Sequence, residues 1–476
     1  MELDDEAVTR ILGEFAEADL GDARRTTRLL KVVAALAKHP DKSLPAVLGT
    51  SAALEGAYRL LNNECVNFDD LMEVHREQTI GRAEQAGEVL VLHDTTTCKL
   101  EHADPREAGF LPTGKAGFFA HVGLVVDAGR HRRPLGVLHL EPYWRKKQSG
   151  RGSRQKHLGG RELAGWRNRE SERWARGVQA CQEQLSDCAV VHVMDREGDK
   201  YELLTHLQQH QERFVIRSSH DRRLSCEEHP GQTLREMARR QPVLLQREVQ
   251  LSRRSAPTAP RSRALAPSRQ SRPATLSITA SRVVLRRPNS LKAGFPATIT
   301  LHVVHVEELD PPKGERPVVW TLLTSEPIDS NEQIERIIDI YRYRWLIEEL
   351  FKALKTGCLY EGRMFETRHP MLNLLATSLP VAVELLWMRA RVTDEPSASA
   401  TDIVTLQQIE ILRTMGHRPL PSKPTALQAL LAIAGLGGHL TRNGSPGWQV
   451  LGRGYQRLLD YEAGWRARGS SKRRNL

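Results

Sequence analysis

The chain has 476 residues, and its 69 Lys and Arg against 58 Asp and Glu give a formal net charge of +11. This length allows a substantial hydrophobic core and about two to four domains, and the charge favours a polyanionic partner such as nucleic acid, although solubility alone can explain it. The six cysteines show no C-x-x-C pair and no zinc-type spacing with histidine, which excludes a disulfide scaffold and is typical of reduced thiols.

We expect the protein to work in the cytoplasm and to contact no membrane. Its N-terminus is acidic and lacks the basic-then-apolar pattern of a signal peptide. No apolar run approaches the roughly 20 residues that are needed to span a bilayer.

The first predicted elements are two or three short helices near the N-terminus. Asp22 is positioned to cap a helix, and Ser51 is positioned to cap another. The first of these helices carries Arg24, Arg25 and Arg28, whose spacing places positive charge along one face. Such a face could lie across phosphates or in a major groove, and a solvated face without DNA contacts is the alternative.

Two later segments share the order strand, aspartate, polar turn. The apolar run Val89–Leu92 leads to Asp94, and the run Ala189–Met194 leads to Asp195. Both runs predict buried strands that deliver an aspartate at the carboxyl end, which is how α/β folds place charge in the crevice beyond their strands. Asp199 is expected to favour the N-terminus of the helix that follows. Further strands are predicted at 118–126, 135–140 and 213–218, with a helix at 172–185.

The middle of the chain contains two basic stretches and a change of pattern. Residues 145–161 are basic and glycine-rich, which predicts a loop that becomes ordered on DNA or, alternatively, a disordered insertion. Residues 222–318 alternate like strands and predict a β insertion. Its centre, 253–272, has three prolines, six arginines and no acidic residue, so it cannot be a strand. We interpret it as a hairpin tip that touches DNA backbone, or as a flexible loop without contacts.

Four polar residues lie on one stripe of a helix that is predicted near position 350: Tyr341, Arg344, Glu348 and Lys355. At 100° per residue they project within an arc of about 60°. The adjacent face is apolar and suited to packing on a sheet. A carboxylate beside two cations and a phenol suits a site that holds a metal ion and binds phosphates, whereas the alternative is an ordinary amphipathic helix with i,i+4 ion pairs.

The C-terminal part is predicted to be helical, at 371–391, 402–415 and 452–466. One group of apolar residues fits a dimer surface and internal packing equally well: Leu451, Tyr455, Leu458, Leu459 and Tyr461.

The strings HDTT, DREGD and Y-x2-R-x3-E-x6-K resemble the motifs of bacterial DDE transposases of the insertion-sequence-four family. The resemblance implies an α/β fold with an RNase H-like mixed-sheet catalytic core, two aspartates on neighbouring strands and a glutamate from a later helix. It therefore implies an acidic triad of Asp94, Asp195 and Glu348. It also implies a signature that is completed by Tyr341, Arg344 and Lys355.

The same resemblance implies a domain order. An α-helical DNA-binding domain would occupy 1–70, the catalytic core 71–370 with its β insertion, and an α-helical C-terminal domain 371–476. The C-terminal helices would form a homodimer in the DNA complex. Trp320 could stack on a base pulled out of the duplex, although an apolar strand with one Trp is more often core.

The implied activity is cut-and-paste DNA transposition. Two Mg²⁺ ions about 4 Å apart, for which Mn²⁺ can substitute, would be held by the three carboxylates. The enzyme would cleave the transposon ends, through a hairpin intermediate, and join the 3′-hydroxyl to target DNA. Arg196 and Arg217 are further candidates for holding phosphates. Two alternatives stay open: a structure-selective nuclease on the same scaffold, and a catalytically silent DNA-binding regulator descended from a transposase.

Overall fold

The computed structural model describes residues 6–474 except 41, 102, 130–131, 146–171, 227–228, 230, 252–267, 292–293, 364 and 441–445. Most of the two basic stretches, 145–161 and 253–272, therefore lies outside the described residues. Within the second stretch Arg272 already begins a strand, whereas the sequence predicted no strand as far as that residue.

The N-terminal part is helical, as predicted. Asp22 caps the second helix by accepting a hydrogen bond from the Arg24 backbone N–H. The fourth helix is capped by Thr50, and Ser51, the predicted cap, is its first residue. The bounds are α1 Glu6–Gly13, α2 Ala23–Lys38, α3 Leu44–Leu48, α4 Ser51–Leu61 and α5 Phe68–Ala86.

Nine strands form one mixed sheet in the order β3-β2-β1-β4-β5-β9-β8-β7-β6. β1, β4 and β5 run parallel to one another, and the other neighbouring pairs are antiparallel. The sheet is therefore mixed and belongs to an α/β fold, as expected. The bounds are β1 Glu88–Lys99, β2 Gly117–Asp127, β3 Pro134–Tyr143, β4 Ala189–Met194, β5 Arg213–Arg217, β6 Leu245–Leu251, β7 Arg272–Arg286, β8 Thr298–Glu308 and β9 Val319–Thr324.

β1 is longer than the sequence predicted, and Asp94 lies inside it rather than after its end. The threonines that follow Asp94 favour extended backbone, so the strand continues through them. β4 pairs with β1 only as far as His93 opposite Met194, and β2 alone accompanies β1 beyond that pair. Asp94 therefore lies just beyond the last residue of β1 that pairs with β4.

The predicted β insertion extends the same sheet instead of forming a separate layer. β9 pairs with β5 through Thr324 and Val215, and β8, β7 and β6 follow outward in antiparallel order. Among the described residues, four α-helices lie between strands of the sheet in the sequence: α6 Pro105–Ala108, α7 Glu172–Gln184, α8 Tyr201–Gln209 and α9 Leu234–Arg240.

The two faces of β1 contact different parts of the core. Leu90 and Leu92 join the main hydrophobic core, which includes the N-terminal helices and the helices after β9. Val89 and Val91 pack with Cys181 of α7 on the opposite face. Because side chains alternate along a strand, Asp94 faces the same side as Leu90 and Leu92.

The predicted helix near position 350 is not continuous. α10 Asn331–Tyr343 ends at Arg344, where the Ile347 N–H bonds back three residues to the Arg344 carbonyl. α11 Trp345–Lys352 follows and passes into a π-helical turn, Ala353–Gly357. A π turn contains more residues per turn than an α-helix, so the single stripe computed for a regular helix does not hold as far as Lys355.

The C-terminal helices are α12 Arg368–Asp394, α13 Leu406–Met415, α14 Ala426–Leu436 and α15 Trp448–Arg474. By length and composition α12 could cross a membrane, but 78% of its most apolar stretch is buried inside the protein, as in a core helix. The apolar group around Tyr455 packs internally with α13 and α14, so those side chains are not a free dimer surface. The boundaries predicted after residues 70 and 370 both fall inside helices, α5 and α12.

Candidate active site

Asp94 and Asp195 lie side by side on the sheet. The parallel register pairs His93 with Met194; Asp94 is the next residue of β1, and Asp195 directly follows the last residue of β4. The Asp94 carboxylate accepts the Thr95 N–H at 2.7 Å, and the Asp195 carboxylate accepts the Glu197 N–H at 2.7 Å. The two acids are therefore held at neighbouring positions, as the family resemblance implied.

Arg344 connects the third predicted acid, Glu348, to Asp94. Its guanidinium donates to Asp94 at 3.4 Å and to Glu348 at 2.5 Å. The arginine is only 12% exposed, compared with 30% for Glu348. A largely buried guanidinium that contacts two carboxylates links α11 directly to β1.

The electrostatics of Asp94 report the same proximity. The pKa of Asp94 is raised to about 7, mainly by burial, next by the neighbouring Asp195 charge and to a smaller extent by Glu348. The Thr95 N–H and the Arg344 guanidinium oppose this shift. Asp195 and Glu348 therefore both lie near enough to Asp94 to act on its charge.

The three acids are not arranged around a single metal-sized position. Over the described parts of the chain, no three His, Cys, Asp or Glu side chains form such a group. Arg344 instead contacts two of the carboxylates. The donors themselves fit Mg²⁺, because carboxylate oxygens are its usual protein ligands and Asp94 is destabilised in its charged form by its acidic neighbours.

Two further predicted cations lie beside this cluster. Arg217, at the end of β5, donates to the Val319 carbonyl at 2.9 Å and also bonds Tyr341. Burial lowers the pKa of Arg217, and the nearby charges of Arg196 and Arg344 add to that effect. Arg196 is exposed in the turn after Asp195.

Tyr341 and Trp320 contact each other at the edge of the cluster. Their rings meet edge to face, with centroids 5.5 Å apart. Tyr341 is buried, whereas Trp320 on β9 is half-buried and keeps part of its surface accessible. These two aromatic side chains are therefore neighbours.

Lys355 is the signature residue that the structure does not bring to the acids. It pairs with Glu361 at 3.8 Å, and Glu361 also accepts the Lys99 N–H at the far end of β1. Lys355 also acts on the thiol of Cys98, which lies about 13 Å along the strand from Asp94. Lys355 lies in the π turn, where the regular helical spacing used for the prediction does not apply.

The three N-terminal arginines have different environments. Arg24 is 92% exposed and pairs with Asp22, so it is available at the surface. Arg25 donates to the Leu20 carbonyl at 2.8 Å and supports the turn before α2. Arg28 lies across Gly56 of α4, where a Cβ atom would collide with the guanidinium. Part of the predicted positive face of α2 is therefore used for packing between helices.

The contacts of two buried carboxylates, Asp199 and Glu349, were not predicted from the sequence. Asp199 does not serve the next helix; it is buried, pairs with Arg222 at 2.5 Å and accepts the N–H groups of Ser219 and His220. Glu349, beside Glu348, is contacted from two C-terminal helices, and no sequence pattern marks it.

Comparisons with known proteins bear on the N-terminal part. Residues 11–66 match the family model described as transposase DNA-binding, a range that contains the three arginines of α2. The chain is also similar to a cryo-EM structure of the piggyBac transposase synaptic complex with hairpin DNA, at 13% identity and a TM-score of 0.32, covering 83% of this chain and 74% of that one. So low a TM-score carries no argument about fold or function. The family match over α1 to α4 supports a transposase.

Proposed function

We propose that the protein is a cut-and-paste DNA transposase whose phosphoryl-transfer site is formed by Asp94, Asp195 and Glu348. The observation that carries this proposal is the meeting of the three carboxyls, seen in the Arg344 bridge and in the raised pKa of Asp94. The match of residues 11–66 to a transposase DNA-binding model supports DNA as the substrate.

The finer assignments belong to the same proposal. Within transposases, the motifs favour the insertion-sequence-four family and similarity to the Tn-five transposase. Two Mg²⁺ ions, replaceable by Mn²⁺, would be held by the three carboxylates, and they would supply an activated oxygen nucleophile, a stabilised leaving oxygen and charge neutralisation. The hairpin intermediate, the homodimer in the DNA complex, the domain order and the cytoplasmic location are further parts of it.

The chain's own groups suggest a division of labour. Arg344, Arg217 and Arg196 lie beside the acids, and planar guanidinium groups bind phosphate oxygens in pairs. Arg344 would exchange its carboxylate contacts for a phosphate when DNA enters. The exposed part of Trp320 would stack against an unpaired base near the cut, with Tyr341 supporting the indole from behind.

A silent DNA-binding regulator is the second candidate, and one observation favours it. The matched family model describes DNA binding alone and covers residues 11–66, so binding without catalysis would satisfy it. A nuclease on the same scaffold differs from a transposase because it would cut DNA without joining it to a target.

Cleavage and joining by the purified protein test these candidates. We would use linear DNA carrying the sequences that flank the protein's own gene, together with a plasmid target and Mg²⁺. Asp94→Asn should bind this DNA as well as the unaltered protein but lose cleavage by at least about a hundredfold, because the carboxylate is needed for phosphoryl transfer. Asp339→Asn is the matched control, since Asp339 on α10 pairs with Arg247 away from the acids.

The outcomes separate the three activities. Strand joining that requires Asp94 supports the transposase. Asp94-dependent cutting without joining supports the nuclease, and specific binding without cutting by the unaltered protein supports the regulator. Cleavage that persists in Asp94→Asn would remove the acidic site from the mechanism.

A further inference from the structure

Glu349 is a buried carboxylate next to Glu348, and it is held by groups from three helices. On its own helix, α11, it accepts hydrogen bonds from Trp345 at 3.1 Å and Lys352 at 2.7 Å. From α15 the Trp448 indole N–H donates to it at 2.8 Å, and Arg389 of α12 lies 3.4 Å away. The C-terminal helices therefore reach the residue adjacent to a predicted catalytic acid.

Glu349 is buried, and its carboxylate is surrounded by donors from α11, α12 and α15. Hydrogen bonds to a buried charged group are among the stronger ones in proteins, and leaving such a charge without partners is costly. The position of Glu349 relative to α12 and α15 is therefore tightly determined.

α11 needs such a fixed point because its ends are irregular. It has 8 residues, starts at the change of helical geometry around Arg344 and ends in the π turn Ala353–Gly357. Neither neighbouring segment continues it as a regular helix that would fix its rotation about its own axis. Adjacent residues project about 100° apart, so any rotation that moves Glu349 also moves Glu348.

We infer that Glu349 is a positioning residue that fixes the rotation of α11 and so holds Glu348 beside Asp94. The C-terminal helix α15 therefore helps to hold the acidic site in place, through the contact that Trp448 makes with Glu349. This inference rests on the proposed function, because it gives Glu348 a role in binding metal. Groups that hold metal ligands in place change metal affinity by about tenfold to a hundredfold when they are removed.

Titration of the full-length protein with Mn²⁺ alone, followed by calorimetry, tests the inference. Glu349→Gln keeps the size of the side chain but removes its charge, and should weaken Mn²⁺ binding by about tenfold or more. Trp448→Phe removes a single donor from α15 and should weaken Mn²⁺ binding in the same direction by a smaller factor. The double variant should lose less than the product of the two factors, because both act through one contact.

The control is Glu410→Gln, which removes another C-terminal ion pair, that of Glu410 with Arg413 within α13. Thermal unfolding of every variant separates lost stability from displaced ligands. If Glu349→Gln does not fold, Trp448→Phe alone decides, since it leaves the Glu349 charge and its other donors in place.

The outcomes distinguish this inference from the proposed function. Unchanged Mn²⁺ affinity in folded Glu349→Gln and Trp448→Phe, with binding abolished in Asp94→Asn, overturns the positioning role and leaves the acidic site standing. Equal Mn²⁺ binding by Asp94→Asn and the unaltered protein removes the metal site itself, and the positioning role with it. An equal loss of affinity in Glu410→Gln would also overturn the inference.

Discussion

The guanidinium of Arg344 lies 3.4 Å from the carboxylate of Asp94, although 250 positions of sequence separate the two residues. The same guanidinium donates to Glu348. In the proposed function these carboxylate oxygens are also the ligands of a divalent cation. Arg344 and the cation would then compete for the same carboxylates. A DNA phosphate that binds Arg344 would therefore strengthen metal binding.

Replacing Arg344 by Gln should strengthen binding of Mn²⁺ in the absence of DNA, by about tenfold. The variant removes a positive charge next to the acids, and an opposite charge within a few ångströms is what stabilises them in the unaltered protein. Calorimetric titration measures the change, and Arg342→Gln is the control, because Arg342 is close in sequence but pairs with Asp339. Unchanged or weaker Mn²⁺ binding in Arg344→Gln would show that no such competition exists.

The N-terminal arginines allow a matched test of DNA binding. Arg24 and Arg106 each follow an aspartate helix cap by two residues and pair with it, and both are highly exposed, but only Arg24 lies in the range that matches the DNA-binding model. Arg24→Ala should weaken binding to duplex DNA and reduce the slope of log affinity against log salt by about 0.9, the value for one phosphate contact. Arg106→Ala should change neither quantity.

Titrations of DNA in increasing salt, followed by fluorescence anisotropy, provide both numbers. Equal salt slopes for the Arg24 variant and the unaltered protein would mean that this face of α2 is solvated, which is the alternative reading of its charge. Arg25→Ala is expected to act differently, by lowering stability, since its guanidinium supports the Leu20 carbonyl.

The buried pair of Asp199 and Arg222 should contribute strongly to stability. Both side chains are nearly inaccessible, and Asp199 also fixes the loop after β5 through the N–H groups of Ser219 and His220. Asp199→Ala leaves Arg222 charged and buried, which costs about 3–5 kcal/mol of unfolding free energy. Urea denaturation measures this loss, and adding Arg222→Met to the same chain should recover part of it. A loss below about 1 kcal/mol would contradict the structural role.

Local patterns in the sequence predicted the strands and the acids, because each depends on a few neighbouring residues. The apolar run before Asp195 and the cap at Asp22 are of this kind. The break at Arg344 and the direction of Lys355 depend instead on contacts with distant parts of the chain, such as Glu361 and the end of β1. A helix with a constant 100° step cannot represent either of them.

Long-range packing also explains what the sequence left undecided. The apolar residues around Tyr455 fitted a dimer surface or an internal contact, and the choice depends on where α13 and α14 pack. No sequence pattern distinguishes Glu349 from the other charges of its helix. Only its contacts with Trp448 and Arg389, about a hundred and about forty positions away, make it a buried anchor.

Acid should destabilise the protein through a row of buried histidines beneath α7, of which His139 allows a separate test. Burial lowers the pKa of His139 to about 4; the Glu141 charge opposes this shift, and Arg76 and Arg176 reinforce it. The His139 ring contacts that of His121, whose pKa burial also lowers.

In the unfolded chain a histidine binds a proton below about pH 6.5, whereas folded His139 remains neutral down to about pH 4. Between these pH values the unfolded state therefore binds one proton more than the folded state. The contribution of His139 to the unfolding free energy is fully present above pH 6.5 and declines as the pH falls below it. His139→Gln should reduce the slope of unfolding free energy against pH in this window by about one proton, or about 1.4 kcal/mol per pH unit. Urea denaturation at several pH values measures the slope, with the exposed His417→Gln as control. An unchanged slope in His139→Gln would mean that His139 takes up its proton in the folded protein.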